Sequence, residues 1–139
     1  MQPTVTIKLY FENSAGRLLE HPNGYVVLEY KPGKRKFFDL QALLTHTRNL
    51  LERNQWHRLL GDQRQMAPFT EEERAWIVDY WLDGSRQRAG GIHSAVVLAN
   101  DVFARLSMDQ ISHDAKVSAL TYRVFDNEES AAAWLRHIA

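Results

Sequence analysis

The segment HRLLGDQRQMAPFTEEERAWIVDYWL, residues 57–82, contains the junction that decides the fold. A short apolar strand over residues 57–61 is followed by a polar loop, and the sequence predicts a helix from Thr70 to Gly84. Thr70 and Glu73 have the spacing of a capping box, in which each side chain bonds the other residue's backbone N–H. In open α/β sheets, ligands and partners usually meet the carboxyl ends of the strands, so this junction is also the first candidate for a binding surface.

Before the junction, the hydrophobic period changes from two to about 3.6 residues. Alternation over residues 4–11 predicts a half-buried strand, and residues 18–21 and 25–30 predict two more. Pro22-Asn23-Gly24 between the last two is a hairpin signal. Leucines at helical spacing over residues 40–51 then predict an amphipathic helix with one apolar stripe.

After the junction, apolar residues over 94–99 predict a strand buried on both faces, as in a parallel sheet covered by helices. Asn100 or Asp101 is predicted to cap a third helix. Its inward residues are predicted to be Val102, Phe103 and Leu106. The polar stretch over residues 108–117 is compatible with either a longer helix or a loop.

The end of the chain repeats the strand-to-helix pattern. Residues 120–125 alternate and predict the last strand, and Asp126 and Glu129 have the spacing of a second capping box. The final helix is predicted to point four residues inward: Ala131, Trp134, Leu135 and Ile138. The resulting order, β-β-β-α-β-α-β-α-β-α, predicts one α/β domain over residues 1–139, with a mixed sheet, four helices and right-handed crossovers.

Composition narrows the classes of function. Hydrophobic residues make up 45% of the 139 residues, and 17 basic residues balance 17 acidic ones. This balance gives no reason to expect a nucleic acid or an anionic membrane as a partner. The absence of cysteine excludes disulfides, thiolate metal sites and a cysteine nucleophile. The longest apolar run, residues 95–99, is too short to cross a bilayer, and without a targeting segment we expect a cytoplasmic protein.

Three segments resemble a known superfamily. They are YRVFDNEESAAAWL at residues 122–135, GDQRQM at residues 61–66 and AVVL at residues 95–98. They resemble the closing strand and helix, the strand-end loop and the central strand of STAS-like domains, the sulfate-transporter and anti-sigma-factor antagonist superfamily. The resemblance covers the chain after Tyr25. It implies a small mixed sheet with four helices, used mostly for protein–protein contact or ligand sensing.

The resemblance also implies a position for regulation. Antagonist members carry a phosphorylatable Ser or Thr at the start of the helix after the Asp-containing loop, and that position falls near Thr70. The family's Asp-Ser-Ser-Gly run is missing, and residues 67–73 read APFTEEE instead. A helix N-terminus favours a phosphate, but three adjacent glutamates repel one, so the interpretation of Thr70 as a cap is favoured.

Four residues form the predicted partner or ligand surface. Asp62 and Arg64 follow one strand, and Asp101 follows its predicted parallel neighbour, so their positions fall at one edge of the sheet. Thr70 completes the set. The alternative is structural for each: a local ion pair for Asp62 and Arg64, and a helix cap for Asp101.

Catalytic and metal chemistry have little support in the sequence. None of the six histidines pairs with another at metal-ligand spacing, and no serine or other nucleophile is placed to use His57 as a base. Gly90-Gly91 precedes a strand, which is the wrong place for a dinucleotide fingerprint. The basic residues over 31–36 beside Phe37 are predicted to form a solvated loop. We therefore expect no cofactor, no metal and no enzyme activity.

Two hypotheses of function remain. The first is a regulatory or protein-interaction module, and the second is a carrier or sensor of a small apolar or lipid-like ligand, which requires a cavity. Trp76 and Tyr80 share a helix face at i, i+4 spacing, and such residues are enriched at interfaces. This face predicts a homodimer contact, with packing of the hairpin over the aromatic rings as the alternative.

Overall fold

The computed structural model describes residues 6–82, 91–114 and 120–138. The strands are β1 Lys8–Glu12, β2 Gly16–His21, β3 Tyr25–Tyr30, β4 Arg58–Asp62, β5 Ile92–Val97 and β6 Leu120–Phe125. The helices are α1 Phe37–Asn54, α2 Glu71–Trp76, α3 Val102–Asp114 and α4 Glu128–His137, and a π-helical segment over Ile77–Leu82 continues α2. The predicted α/β fold and element order are confirmed. The predicted strand position Val5, the helix end at Gly84, Gly90 and residues 115–117 lie outside the described residues.

The six strands form one mixed sheet in which spatial order follows chain order. Strands β1, β2 and β3 pair antiparallel, whereas β3, β4, β5 and β6 pair parallel. In the β2–β3 hairpin, Gly24 has a φ of 88° and its N–H donates to the His21 carbonyl at 3.0 Å. This left-handed residue closes the three-residue turn that the sequence predicts, and a side chain is rarely tolerated there.

The two faces of the sheet are covered differently. Because the strand order is sequential, the crossovers between the parallel strands all step in the same direction along the sheet. Crossovers of the same handedness then place their helices on the same face of the sheet. Accordingly, α1, α2 and α3 cover one face, here called the three-helix face, and α4 covers the other, the α4 face. The sheet residues of the three-helix face are Leu18, Val26, Leu28, Tyr30, Leu59, Gly61, Ile92, Ser94 and Val96, and those of the α4 face are Tyr25, Val27, Leu60, Ala95 and Val97.

Helix α1 has the predicted apolar stripe. All six of its predicted inward positions are buried: Leu40, Leu43, Leu44, Thr47, Leu50 and Leu51. The Thr47 hydroxyl donates to the Leu43 carbonyl at 2.8 Å, so this buried polar group is satisfied within the helix.

The predicted inward face of α3 is wrong. Val102, Phe103 and Leu106 are 59%, 67% and 52% exposed. The buried residues are instead Ala104, Ser107 and Ile111, which occupy a different arc of the helix at 100° per residue. The polarity of Ser107 favoured an outward position in the sequence pattern. The residue is buried because its hydroxyl accepts from the Phe69 N–H at 3.0 Å and donates to the Ala104 carbonyl at 2.8 Å.

Helix α4 differs from the prediction at its N-terminal cap and agrees with it along its inward face. The predicted capping box of Asp126 and Glu129 is wrong, because the cap of α4 is Asn127, whose side chain accepts from the Ser130 N–H at 2.8 Å. The inward stripe of α4 is confirmed: Ala131 and Leu135 are buried, and Trp134 and Ile138 pack partly buried beside them.

Strand β1 departs from simple alternation. Its pairing with β2 shifts between Leu9 and Phe11, and Ile7 and Leu9 are exposed. A bulge of this kind turns side chains off the regular two-residue period, so Tyr10 and Phe11 both pack partly buried against the core.

Candidate functional site

The junction before α2 contains the predicted capping box. The Glu73 N–H donates to the Thr70 hydroxyl at 3.1 Å, and the Thr70 N–H donates to the Glu73 carboxylate at 2.8 Å. Thr70 is itself exposed, whereas Glu73 is buried. The capping interpretation of Thr70 is therefore confirmed, and phosphorylation of the same hydroxyl stays a prediction.

Glu73 is buried because Arg35 meets it. The guanidinium binds the carboxylate with two hydrogen bonds of 2.8 and 2.9 Å, and both side chains are 4% exposed. Its remaining N–H groups donate to the carbonyls of Ala67 at 3.2 Å and Pro68 at 3.1 Å. The prediction of a solvated basic loop is thus wrong for Arg35, whose partners lie more than 30 residues away along the chain.

The second ionic pair lies at the carboxyl end of β4. Arg64 donates to both oxygens of the Asp62 carboxylate, at 3.0 and 2.7 Å, and its backbone N–H donates to the same group at 3.1 Å. The Arg64 side chain is 44% exposed and that of Asp62 is 13% exposed. A further contact of 3.4 Å joins Arg64 to Glu128 at the start of α4.

These contacts set the proton affinity of Asp62. Burial raises its pKa, but the hydrogen bonds and the charge of Arg64 lower it more, so the pKa lies below its ordinary value of 3.8. The same pairing raises the pKa of Arg64. Asp62 is consequently ionised at neutral pH and a weaker base than a free carboxylate.

A polar cleft of about 550 Å³ adjoins this pair. Its lining residues are Arg17, Glu29, Tyr30, Asp62, Arg64, Gln65 and Asn100. The Asn100 N–H donates to the Arg64 carbonyl at 3.0 Å, which ties the segment after β5 to the loop after β4. Of the four predicted surface residues, Asp62 and Arg64 line the cleft together, whereas Thr70 and Asp101 are not among the described residues that line it.

The hairpin also contributes to the cleft, although the predicted surface did not include it. Arg17 of β2 and Glu29 of β3 are direct cross-strand partners and form an ion pair of 3.2 Å. Counting outward from the Pro22-Asn23-Gly24 turn places these two residues opposite one another, so the signal was present in the hairpin register.

Asp101 occupies the start of α3. Its carboxylate accepts from the N–H groups of Phe103 at 2.7 Å and Ala104 at 3.3 Å, which confirms its predicted role as a helix cap. Directly after it, Val102, Phe103 and Leu106 occupy one 100° arc of the helix and point away from the core. We call these three residues the α3 outer face.

The aromatic residues of α2 and its π-helical extension divide into two groups. Trp76 stacks on Tyr80 at a ring distance of 5.8 Å and meets the edge of Phe37 at 6.5 Å, and Tyr80 is 61% exposed. Trp81 is buried, and its indole N–H donates to the Leu44 carbonyl at 2.6 Å. The partner of Trp76 is therefore α1 and not the hairpin that the alternative interpretation named.

Within the described ranges, no cluster of three or more His, Cys, Asp or Glu side chains has the arrangement of a metal site. None of the helices in the same ranges has the length and hydropathy required to cross a bilayer. Comparisons with protein-family models, curated proteins and solved structures gave no significant match.

Proposed function

We propose that this chain is a non-catalytic interaction module of STAS-like type that binds a protein partner. The proposed binding surface combines the Asp62–Arg64 pair with the α3 outer face. The observation that carries the proposal is the exposure of Val102, Phe103 and Leu106 directly after Asp101. Adjacent exposed apolar side chains with a polar border are typical of protein-binding surfaces, because their burial by a partner is favourable.

The charges around this surface favour a protein over a nucleic acid. In the cleft, the two arginines Arg17 and Arg64 are each paired with a carboxylate, Glu29 and Asp62. Nucleic-acid surfaces instead carry an excess of cations to meet phosphates. Balanced pairs of this kind supply orientation and specificity to a protein contact.

The pairing also favours binding over catalysis. A general base works best when its pKa lies near the operating pH, whereas the pKa of Asp62 lies below even its ordinary value. Its carboxylate already accepts three hydrogen bonds from Arg64. The chemistry of this pair is therefore that of a fixed recognition element.

Position-specific photo-crosslinking in the native host tests the proposal. A photoreactive amino acid replaces Phe103 in one chain and Val124, an exposed residue of β6, in a matched control. We expect a discrete crosslinked protein from position 103 that is absent from position 124. Crosslinks of equal pattern and yield at both positions, or no crosslink from position 103, would contradict the proposed surface.

Self-association through Trp76 and Tyr80 is a separate part of the proposal. Tyr80 is 61% exposed, and Phe38, whose ring lies 6.5 Å from that of Phe37, is 79% exposed; this exposure supports a contact with a second copy. Sedimentation velocity over a wide concentration range checks it. A mass that shifts toward a dimer in the wild type but not in Tyr80→Ser supports the contact, and a monomer throughout contradicts it.

A second candidate function, a carrier or sensor of a small ligand, is favoured by one observation. A cavity of about 60 Å³ lies between the sheet and the helices of the three-helix face. Pockets for drug-sized ligands usually measure about 300–1,000 Å³, so the cavity suits a small molecule better than a lipid chain. Native mass spectrometry of the gently purified chain tests this candidate, since a retained small molecule adds a defined mass.

A further inference from the structure

The cavity arises because two positions at the centre of the sheet carry small side chains. On the three-helix face, Leu59 of β4 lies beside Ser94 of β5, and Gly61 lies beside Val96. Two of these four central positions therefore carry only a hydroxymethyl group or a hydrogen. A Cβ atom built on Gly61 meets no atom within 4 Å, so the space above this glycine is open.

The helices leave that space unfilled. Apolar side chains of α1, the π-helical segment and α3 form its walls, namely Leu44, Ile77, Trp81, Met108 and Ile111. The volume of the cavity is about 60 Å³. That is about twice the share of one liquid water molecule and less than half of the roughly 150 Å³ that hold benzene in an engineered cavity.

Three polar side chains line this otherwise apolar cavity. Gln63 and Ser94 are each 5% exposed and Tyr30 is 9% exposed. Among the described residues, the hydroxyl groups of Ser94 and Tyr30 have no hydrogen-bond partner, and the Gln63 amide has only the Met108 sulfur at 3.3 Å. Whichever way that amide is turned, one of its ends lacks a strong partner. Burying such groups unpaired is costly, so an occupant that bonds them lowers the cost.

The lining restricts the chemistry of an occupant. No acidic, basic or histidine side chain is among the described residues of the cavity wall. A charged ligand would therefore lose its hydration without compensation, and a neutral one would not. Burial also raises the pKa of Tyr30 far above its usual range, so its phenol stays a neutral donor and acceptor.

We propose that this cavity, centred on Gly61 and Ser94, binds a small neutral molecule with a short apolar body and one hydroxyl or amide group. The apolar body occupies the space above Gly61, and the polar group bonds the Ser94 hydroxyl. The site is separate from the α3 outer face. Tyr30 lines both the cavity and the polar cleft, so an occupant lies one side chain away from the proposed protein-binding surface.

Titration with 1-propanol and with xenon, followed by two-dimensional NMR of the full chain, tests the site. We expect saturable shifts at residues of the cavity wall with both probes. Gly61→Val fills the space and is expected to lower the binding affinity of both probes by about tenfold or more. Gly61→Ala serves the same purpose if the larger side chain prevents folding. Ser94→Ala is expected to weaken 1-propanol and leave xenon unchanged.

A matched control and two contrary outcomes complete the test. Leu60→Val alters the opposite face of the same strand and is expected to leave both probes unchanged. Shifts that rise linearly without saturation, with water as the sole occupant detected in the cavity, would overturn the proposal. So would 1-propanol binding that is as strong in Gly61→Val and Gly61→Ala as in the wild type.

Discussion

Two arginine–carboxylate pairs with nearly the same geometry lie in different surroundings in this molecule. Arg35 and Glu73 meet through two hydrogen bonds in the core, where each side chain is 4% exposed. Arg64 and Asp62 meet through two hydrogen bonds at the sheet edge, where Arg64 is 44% exposed. Exposure to solvent, and not bond geometry, therefore decides whether such a pair stabilises the fold or remains available to a partner.

The physical reason is the cost of leaving one charge alone. In the core, Glu73 cannot be rehydrated when Arg35 is removed, and the carbonyls of Ala67 and Pro68 lose their donors as well. At the edge, the Arg64 side chain is 44% exposed, so water hydrates it when Asp62 is removed. Folding therefore depends less on the edge pair than on the core pair.

The largest expected effect is on the buried pair. Arg35→Ala leaves the Glu73 carboxylate buried and unpaired, so we expect a loss of about 3–5 kcal/mol in the free energy of unfolding. Urea denaturation followed by circular dichroism measures it. The double variant Arg35→Met/Glu73→Leu removes both charges and should recover much of the loss. If Arg35→Ala costs no more than Arg64→Ala, the contrast between the two pairs is wrong.

The next effect concerns the cap that shares Glu73. Thr70→Ala removes the acceptor of the Glu73 N–H, and we expect a loss of about 1 kcal/mol by the same measurement. Thr70→Ser keeps the hydroxyl oxygen and is the matched control, with stability close to the wild type. Equal losses in both variants would show that the methyl group, not the hydrogen bond, contributes the stability.

A smaller effect, with a defined pH dependence, belongs to Asp62. Because its pKa is lower in the folded chain than the ordinary 3.8, the stabilisation is present above that value and is lost as the pH falls through the folded pKa. Since Arg64 is exposed and screened, we expect Asp62→Asn to cost about 0.2–1 kcal/mol at pH 7. The difference from the wild type should close as the pH falls below the folded pKa. A difference that grows toward acid pH would contradict the pairing.

The smallest expected effect on stability is that of Arg64→Ala. Nearly half of its side chain is exposed, so we expect a change within about 0.5 kcal/mol at neutral pH. Differential scanning calorimetry of wild type and variant checks it, with Arg35→Ala as the positive control. A loss comparable to that of Arg35→Ala would assign Arg64 a structural role and remove the argument for a recognition role.

Local pattern accounts for the parts of the fold that could be predicted. The stripe of α1 was readable because its leucines repeat at helical spacing, and the Thr70–Glu73 box because its partners are three residues apart. The contact of Arg64 with Asp62 spans two residues, and it too was within reach of the sequence.

The failures have the opposite cause, namely distant partners. Ser107 lies inward because the Phe69 N–H, 38 residues away, bonds its hydroxyl, so polarity gave the wrong phase for α3. Arg35 appeared solvated because Glu73 also lies 38 residues away. The cavity above Gly61 depends on the distance between three helices and the sheet, and no local sequence pattern predicts that distance.

The most direct test of the central claim is the affinity of the partner identified by crosslinking from position 103, measured by calorimetry. We expect Arg64→Ala and Phe103→Ser each to weaken binding by about tenfold or more, while the free energy of unfolding stays within about 0.5 kcal/mol of the wild type. The control Val124→Ser should bind as the wild type does. Unchanged affinity in both Arg64→Ala and Phe103→Ser would contradict the proposed binding surface.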